Sequence, residues 1–423
     1  MRVLLLSWEW PPVLYGGLGR HVHALAHALA DAGHEVTVVT QHSEGCPYDE
    51  TVAGVRVVRV PEDPPLVPRV DLLTWVLAFN HTLARAALRV GAAERPDVVH
   101  AHDWVVAHAG AAVRDGLGVP LVATIHATEA GRHQGWLPGP ENRAIHSIEW
   151  WLTAGARRVI ACSAHMKWEV TQLFAVPEES ADVVVNGLDP RAWLVDAERV
   201  AAARAEYAPE PGSPLVVFTG RLEYEKGVHH LLEAVPRLRE RHPGVRVAIS
   251  GRGTYSTELR DLAARLRLGD AVRFTGYLDE SSLRALAAAA DVAVVPSIYE
   301  PFGMVALEAA ALGTALVVGD TGGLREVVTH GETGLRFPPG DVAALAEAVA
   351  RLLGDVGLRE RLVAAARGMV ERDHAWAGVA AQTVAVYERA IAEEAAVQVG
   401  QPVVAVPGDR RLVLREGNLL ASR

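Results

Sequence analysis

Two successive doubly wound α/β units, facing one another across a cleft, are the fold class this sequence predicts, and three observations carry it. Short β-branched apolar runs alternate with Ala/Leu/Arg-rich helical stretches from one end of the chain to the other, as βαβ crossovers and a parallel sheet require. The runs are near-continuously apolar, as strands covered on both faces are. Around Asp189–Pro214 the alternation breaks into a polar, Pro-containing, Ala/Arg-rich stretch and then restarts. Two units of roughly 190 residues fit this better than one giant sheet.

In the first unit the strands are expected at Val3–Ser7, Glu35–Thr40, Val55–Val60, Asp97–Ala101, Leu121–His126, Arg157–Ser163 and Ala181–Asn186. Helical periodicity lies between them at Gly17–Asp31, Asp71–Val90, Trp104–Arg114 and Ala164–Phe174. In the second, strands Leu215–Thr219, Val245–Ser250, Val272–Thr275, Val292–Val295 and Ala315–Val318 interleave with helices near Val228–Arg241, Glu258–Leu266, Ser281–Ala290 and Met304–Leu312. A helical pattern runs from Trp376 to Ala396, and Gln401–Arg423 reads as a loosely attached tail. Ligands of open α/β sheets bind beyond the C-terminal strand ends, so two such units facing each other make an interdomain cleft.

Half of the 423 residues are hydrophobic and 22% are charged, enough apolar material for sizeable cores. A balance of 41 basic against 51 acidic residues leaves −10. Such a chain has no global attraction for phosphate polymers, so no nucleic-acid partner is expected. Cys46 and Cys162 match no zinc or redox spacing, which points to a reduced compartment. Met1–Leu6 is too short for a signal-peptide core, and no apolar stretch reaches the roughly 18–20 residues of a membrane helix. The expectation is a cytoplasmic protein with no integral membrane segment.

The first strand ends in Ser7-Trp8-Glu9-Trp10-Pro11-Pro12, followed by Gly16-Gly17-Leu18-Gly19-Arg20 and a helix. Glycines at a strand-to-helix turn allow close backbone approach, and free N–H groups at a helix start suit phosphate; a turn serving backbone geometry alone reads equally well. The dinucleotide fingerprint and the P-loop are both absent. At the first strand end of the second unit, Thr219-Gly220-Arg221-Leu222-Glu223-Tyr224-Glu225-Lys226-Gly227 puts a guanidinium and an ammonium in one loop. That pair can clamp a diphosphate, against the plainer alternative of two solvated cations. The sharpest group is Pro296-Ser297-Ile298-Tyr299-Glu300-Pro301-Phe302-Gly303-Met304, a buried strand's exit turning into a helix that carries Glu308. The helix start would face the anion held by Arg221 and Lys226. Glu308 could accept from a ribose diol and Glu300 from sugar hydroxyls, unless Glu308 is merely a buried acid paired with an Arg. Thr321-Gly322-Gly323 could supply further N–H donors.

Thirteen of 18 His and nine of 10 Trp lie before residue 195. Most Trp residues read as core, with Trp104 and Trp136 assigned to the cleft. His21, His23 and His27 share one helix, and with no Cys or carboxylate beside them they read as solvated, not as a metal site. None of the 19 aspartates forms Asp-x-Asp, and there is no hydrolase G-x-S-x-G elbow.

Gly16-Gly17, His126, Asn186-Gly187-Leu188-Asp189, Arg221 with Lys226, and Glu300 with Glu308 eight apart together resemble the GT-B glycosyltransferases of family 4, over roughly residues 1–395. Within that family the likeness is to actinobacterial glycogen-synthase-like α-1,4-glucosyltransferases. It rests on Ser7–Pro12 with Gly16–Val22, on His100-Ala101-His102-Asp103-Trp104, on Thr124–His133 and on Tyr299–Gly303.

The resemblance implies a GT-B fold: a Rossmann-like acceptor-binding domain at 1–188, a Rossmann-like nucleotide-sugar domain at 189–375, a helix at 376–396 returning to the first domain, and a tail at 397–423. It implies that Arg221 and Lys226 bind the diphosphate and Glu308 the ribose. Glu300 and the backbone of Phe302, Gly303 and Met304 would hold the donor sugar, with Gly16 and Gly17 on the donor side. His126 would lie near the sugar 6-hydroxyl, and Asp103 and Trp104 would line the acceptor side. The catalytic set is then Glu300, His126, Arg221 and Lys226, with no cofactor and no metal beyond the co-substrate UDP- or ADP-glucose. Many bacterial glycogen synthases carry Lys-Thr before the glycine pair where this chain has Leu14-Tyr15, so their nucleobase preference is not carried over. The expected activity is retaining, metal-independent transfer of glucose to the 4-hydroxyl of a glucan. The rivals are another family 4 hexosyltransferase, such as an α-mannosyltransferase on a lipid or small glycoside, a GT-B nucleotide-sugar epimerase, and a non-catalytic sugar-nucleotide binder.

Overall fold

The computed structural model describes residues 1–14, 16–61 and 71–400, with side chains to 397. The expectation for Gln401–Arg423, and the Tyr15 of the altered Lys-Thr pair, lie outside the described residues. Two sheets organise the chain. The first has eight strands: β1 (Arg2–Leu6), β2 (Glu35–Gln41), β3 (Asp49–Val52), β4 (Val55–Val60), β5 (Val98–His102), β6 (Leu121–Ile125), β7 (Arg158–Ala161) and β8 (Ala181–Val183), in the order β3-β4-β2-β1-β5-β6-β7-β8. All neighbours are parallel except β3 with β4. The second has six parallel strands: β9 (Leu215–Thr219), β10 (Arg246–Ser250), β11 (Val272–Gly276), β12 (Val292–Val295), β13 (Ala315–Gly319) and β14 (Leu335–Phe337), in the order β11-β10-β9-β12-β13-β14.

Both sheets reverse direction of growth at their first strand. β1 lies between β2 and β5, and β9 between β10 and β12. At such a switch point the connecting loops diverge and open a crevice at the C-terminal strand ends. The motifs lie at those ends: Gly16-Gly17 after β1, Asp103-Trp104 after β5, His126 after β6, Arg221 after β9, and Glu300–Gly303 after β12.

Local sequence explains most elements. Helix Gly17–Asp31 buries His21, Val22, Leu25, Ala26 and Leu29, the 3–4 spacing of one helical face. Ser163 closes β7 early because its Oγ caps helix Ala164–Phe174, accepting from Met166 N. Sequence pattern reads Trp104–Arg114 as one helix, but the chain forms a 3₁₀ turn, Trp104–Val106, and then helix Ala107–Leu117. Asn80 pins that junction: its amide donates to Val105 O and accepts from Ala109 N. The exposed polar edge strand β3 and the three-residue β14 escape an apolar-run criterion. Helices Pro140–Gly155, Val342–Gly354 and Val356–Asp373 are likewise additions.

One apolar cluster runs from Leu6 and Val106 through Tyr299 and Phe302 to Leu316, so the two layers share a continuous core. Helix Trp376–Gly400 leaves the second sheet's layer and packs on Gly17–Asp31, with Val379 and Tyr387 among Val22, Leu25 and Leu29. Tyr387 Oη lies 2.7 Å from His100 Nδ1. Among the described residues no helix is long and apolar enough to cross a membrane.

Candidate functional site

The site is built from the loops at the C-terminal ends of both sheets. After β9 the chain turns through Arg221 into a short 3₁₀ helix, Tyr224–Lys226, and Gly227 at φ +66. A Cβ on Gly227 would lie 2.0 Å from Pro296 O, so only glycine lets this loop lie against the β12 exit. Ile298 N donates to Glu225 O at 2.8 Å and fastens the two loops together. The result is an ion pair across them: Lys226 Nζ is 2.8 Å from Glu300 Oε2, which also accepts from Ser297 Oγ at 3.0 Å. Arg221, half-exposed, pairs with Glu225 at 3.1 Å.

Gly303, at φ +113, starts helix Met304–Leu312, and a Cβ there would strike Leu324. Gly323 presses on the Pro301-Phe302 backbone, and its N–H donates to Glu300 O at 2.9 Å. For Gly323 this corrects the expectation that Gly322-Gly323 supplies ligand donors. Close packing of the Glu300–Phe302 turn requires them, and the Gly323 N–H is already engaged there. Phe302 is buried against His374.

On the opposing side, Gly17 faces Met304: a Cβ added to Gly17 would lie 3.9 Å from Met304 Cγ. Two helix starts therefore meet across the cleft. The first is already capped, because Glu9 Oε2 accepts from Gly16 N at 3.2 Å and from Gly19 N at 3.3 Å. A carboxylate thus takes N–H groups that sequence reading left for a phosphate, while the Met304 end has no side-chain cap. One turn on, Arg20 Nη1 reaches Glu308 Oε1 at 3.1 Å. Burial pushes the Glu308 carboxyl up to about 7, against the pull of Arg20.

Asp103 and His126 come together at the ends of β5 and β6. Asp103 has φ +62, and its Oδ1 accepts from His126 N at 2.7 Å. Burial raises its carboxyl to about 7 despite that bond and the nearby Arg132. His126 Nε2 is 3.2 Å from His102 Nδ1, and its ring stands edge-on to His21 at 4.9 Å. Burial lowers the His126 pKa to about 4, leaving it neutral near pH 7. His21 is buried at 6% exposure, which corrects its reading as a solvated helix histidine. His23 and His27, by contrast, pair with each other at 3.2 Å. The ring nitrogens of His21, His102 and His126 lie within 4.8 Å of one another and are the donor set here that could hold a divalent ion. The His102–His126 hydrogen bond satisfies one nitrogen of each of those two rings, while His21 Nδ1 and His102 Nε2 are buried without a hydrogen-bond partner among the described residues.

The two halves are also joined by a buried polar contact. Tyr299 Oη donates to Glu169 Oε1 at 2.9 Å and accepts from Thr128 N, while Thr128 Oγ1 donates to Glu169. Ser163 Oγ donates to Pro301 O at 2.6 Å. Trp104 packs half-buried against the main core. Trp136 is 71% exposed, and only Trp10, Trp75 and Trp193 are buried. Trp8, Trp104 and Trp376 pack partly buried against the cores, whereas Trp136, Trp150, Trp151 and Trp168 stand on the surface. Sequence reading assigned no role to Glu9, Arg20, His21 or His102. For Arg20 a signal existed, a cation one turn past a glycine pair at a strand exit.

Residues 15–192 match the model "Glycosyltransferase Family 4", and residues 200–369 match "Glycosyl transferases group 1". The chain is 45% identical to the glycogen synthase of Mycobacterium tuberculosis over 416 residues, covering 96% of this chain and 98% of that one. Among solved structures it is similar to sucrose-phosphate synthase from Thermosynechococcus elongatus, with TM-score 0.78, 27% identity, and 93% and 99% of the two chains covered. The catalytic domain of starch synthase IV from Arabidopsis thaliana, bound to ADP and acarbose, shares the fold at TM-score 0.75 and 21% identity, covering 92% and 99%.

Proposed function

This chain belongs to the GT-B glycosyltransferases, a family 4 domain followed by a group 1 domain, and on that premise we propose a retaining, metal-independent glucosyltransferase. It moves glucose from UDP- or ADP-glucose to the 4-hydroxyl of an α-glucan. The observation that carries this reading is the Lys226–Glu300 pair, set beside the uncapped start of helix Met304–Leu312. In this reading the pair contributes a cation and a sugar-hydroxyl acceptor, and the helix start contributes its first N–H groups, to the donor side of the cleft. The likeness to a glycogen synthase supports glucose and glucan as the sugar and acceptor.

In this proposal residues 189–375 bind the donor, residues 1–188 the acceptor, and the helix at 376–396 returns to the first domain. Arg221 and Lys226 bind the diphosphate, Glu308 takes the ribose diol, and Glu300 with the Phe302–Met304 backbone takes the sugar. Gly16 and Gly17 close the donor side across from Met304. The sugar C1–O bond to the diphosphate loosens and its electron pair leaves with the nucleotide. Arg221, Lys226 and the helix start stabilise that charge, preorganised and without solvent reorganisation. Neutral His126 offers its ring to the sugar near the 6-hydroxyl, held by the Asp103 bond to its own backbone. The acceptor oxygen, guided by Asp103 and Trp104, attacks C1 from the leaving-group face. A diphosphate oxygen takes its proton, so configuration at C1 is retained.

Two fixed cations make a metal unnecessary for the departing charge. Arg221→Ala or Lys226→Ala should each lower kcat on the order of 10²–10³-fold, the scale of one preorganised donor. Wild-type transfer should survive EDTA, and excess Mg²⁺ should restore neither variant. Chelation that abolishes wild-type transfer, or normal turnover by both variants, would overturn the clamp. Nucleotide release from a panel of UDP-glucose, ADP-glucose and GDP-mannose, with and without glycogen, separates this reading from a mannosyltransferase and from an acceptor-independent epimerase.

A further inference from the structure

A groove between helices Ala107–Leu117 and Pro140–Gly155 lies outside the catalytic loops. It consists of two cavities, of about 200 and 450 Å³, that share the lining residues Arg114, Leu121, Ala154 and Gly155 and so form one depression. Small-molecule sites span roughly 300–1,000 Å³. Gly155 makes the junction possible: a Cβ there would lie 2.8 Å from Arg114 Nη1, which instead donates to Gly155 O at 2.6 Å.

The two ends of the groove differ. At one end stand Trp151, 39% exposed, and His108, with ring centroids 4.9 Å apart. His108 is the second residue of the helix that follows Trp104–Val106, so this end borders the acceptor side of the proposed reaction. The other end is polar, lined by Arg114, Asp115, Arg157 and Glu394, at the N-terminal ends of β6 and β7. The 11-residue helix Ala107–Leu117 makes the track about 16 Å long at 1.5 Å per residue.

The charges along it cancel. Arg114 Nε pairs with Asp115 at 2.7 Å, and Arg157 pairs with Glu394 Oε2 at 2.6 Å. The lining carries no net charge, and the polar end of the groove lies at the C-terminal ends of helices Ala107–Leu117 and Pro140–Gly155, whose dipoles disfavour a phosphate or nucleotide. What remains is an indole face, which suits the C–H face of a pyranose, and carboxylate oxygens with lone pairs that accept from neutral hydroxyls. A surface combining these is complementary to an uncharged polyol.

We propose that this groove is a second glucan-binding site, which holds an inner stretch of the acceptor polymer while its end enters the cleft beside Trp104. The inference rests on the glucan-acceptor reading above. It predicts that glycogen, long enough to occupy the cleft and the whole groove at once, depends on Trp151 more than maltotriose does.

The test uses the full chain and three forms: wild type, Trp151→Ala and Trp151→Phe. Native electrophoresis through gels with and without glycogen reads binding, and transfer kinetics compare glycogen with maltotriose. Trp151→Ala should lose most of the glycogen-dependent retardation. Its half-saturating glycogen concentration should rise roughly 3- to 10-fold, the scale of one aromatic contact. Its maltotriose KM and its kcat should stay within about twofold of wild type, and Trp151→Phe should fall between. Equal retardation of wild type and Trp151→Ala overturns the site, as does an equal rise of both KM values. So does sedimentation showing that Trp151→Ala only splits a dimer of this chain, since the groove would then seat a second copy. A wild type that glycogen retards through Trp151 but that transfers no glucose would leave the groove standing and defeat the functional reading instead.

Discussion

Arg20 belongs to the first domain's helix and Glu308 to the second's, and removing the guanidinium should make donor binding depend on pH in a new range. Glu308 is 11% exposed, and burial pushes its carboxyl up to about 7, with Arg20 the largest opposing influence at 3.1 Å. An opposite charge at such range lowers a carboxyl by about 1–3 pH units. Arg20 is 42% exposed and therefore screened, so the lower end, about one unit, is the appropriate figure. Arg20→Ala then moves Glu308 to roughly 8. The proposed ribose contact needs the ionised carboxylate. At pH 7 that form falls from about half of the molecules to about a tenth, and donor KM rises roughly fivefold. The sign is fixed: KM falls as pH rises in both forms, and the two converge near pH 9, where both carboxyls are ionised. The kcat should change little, because a contact kept throughout the reaction is uniform binding. Arg20→Lys should restore most of the wild-type profile. Donor KM measured from pH 6 to 9 decides the matter: a KM ratio constant across that range, or no change at pH 7, refutes the role assigned to this pair.

Four other expectations follow from the surroundings of single residues. Glu149 is 2% exposed, accepts from Glu129 N at 2.9 Å, and is pushed by burial up to about 9 from 4.5. The folded chain thus holds a proton that the unfolded chain releases, so stability falls as pH rises from 4.5 towards 9. Glu149→Gln should gain about 2–3 kcal/mol at pH 7, with no gain at pH 4.5, in urea titrations at the two pH values; a pH-independent change would show that the proton is irrelevant. Gly227→Ala, at φ +66 and against Pro296 O, should cost more than about 2 kcal/mol and lower kcat/KM by displacing Lys226. Gly16→Ala, extended and with nothing within 4 Å of its Cβ, should keep its stability within about 0.5 kcal/mol. Trp104→Ala should weaken glucan use while leaving slow donor hydrolysis intact, and an equal loss of both would place Trp104 in the donor site.

Elements whose signal is local were readable from sequence. Helices Gly17–Asp31, Ala164–Phe174, Val228–Arg241 and Met304–Leu312 have the bounds that periodicity and glycine punctuation imply. The loops carrying Arg221, Lys226 and Glu300 sit at strand exits because each follows a short buried run and precedes a glycine. Relations across the chain were not readable. Arg20 and Glu308 are 288 residues apart, and either could have served as a solvated or core charge. The His21–His102–His126 group draws on one helix, one strand and the loop after β6, so helical spacing pointed instead to His23 and His27. Glu9 caps the helix after a loop, outside the usual capping offset. Residue type misled for tryptophan, because indoles on helix Pro140–Gly155 face outward while Trp75 is core.

The covalent path between the two domains has a mechanical consequence. The chain crosses once after β8 and once again before Trp376, and the crossings are bonded together: Leu188 N donates to His374 O at 2.8 Å, and His374 Nδ1 lies 2.9 Å from Asn186 O. Gly187 lies so close to Trp376 that a Cβ there would come within 2.7 Å of the indole. Two crossings stitched at one place act as a single pivot. Any relative motion of the domains is then reduced to swinging about that point, like the covers of a book about its spine. Displacement is least at the spine and grows with distance from it. The Arg20–Glu308 and Tyr299–Glu169 contacts are the clasps, and scattering measured with and without nucleotide should register any opening as a change in one angle.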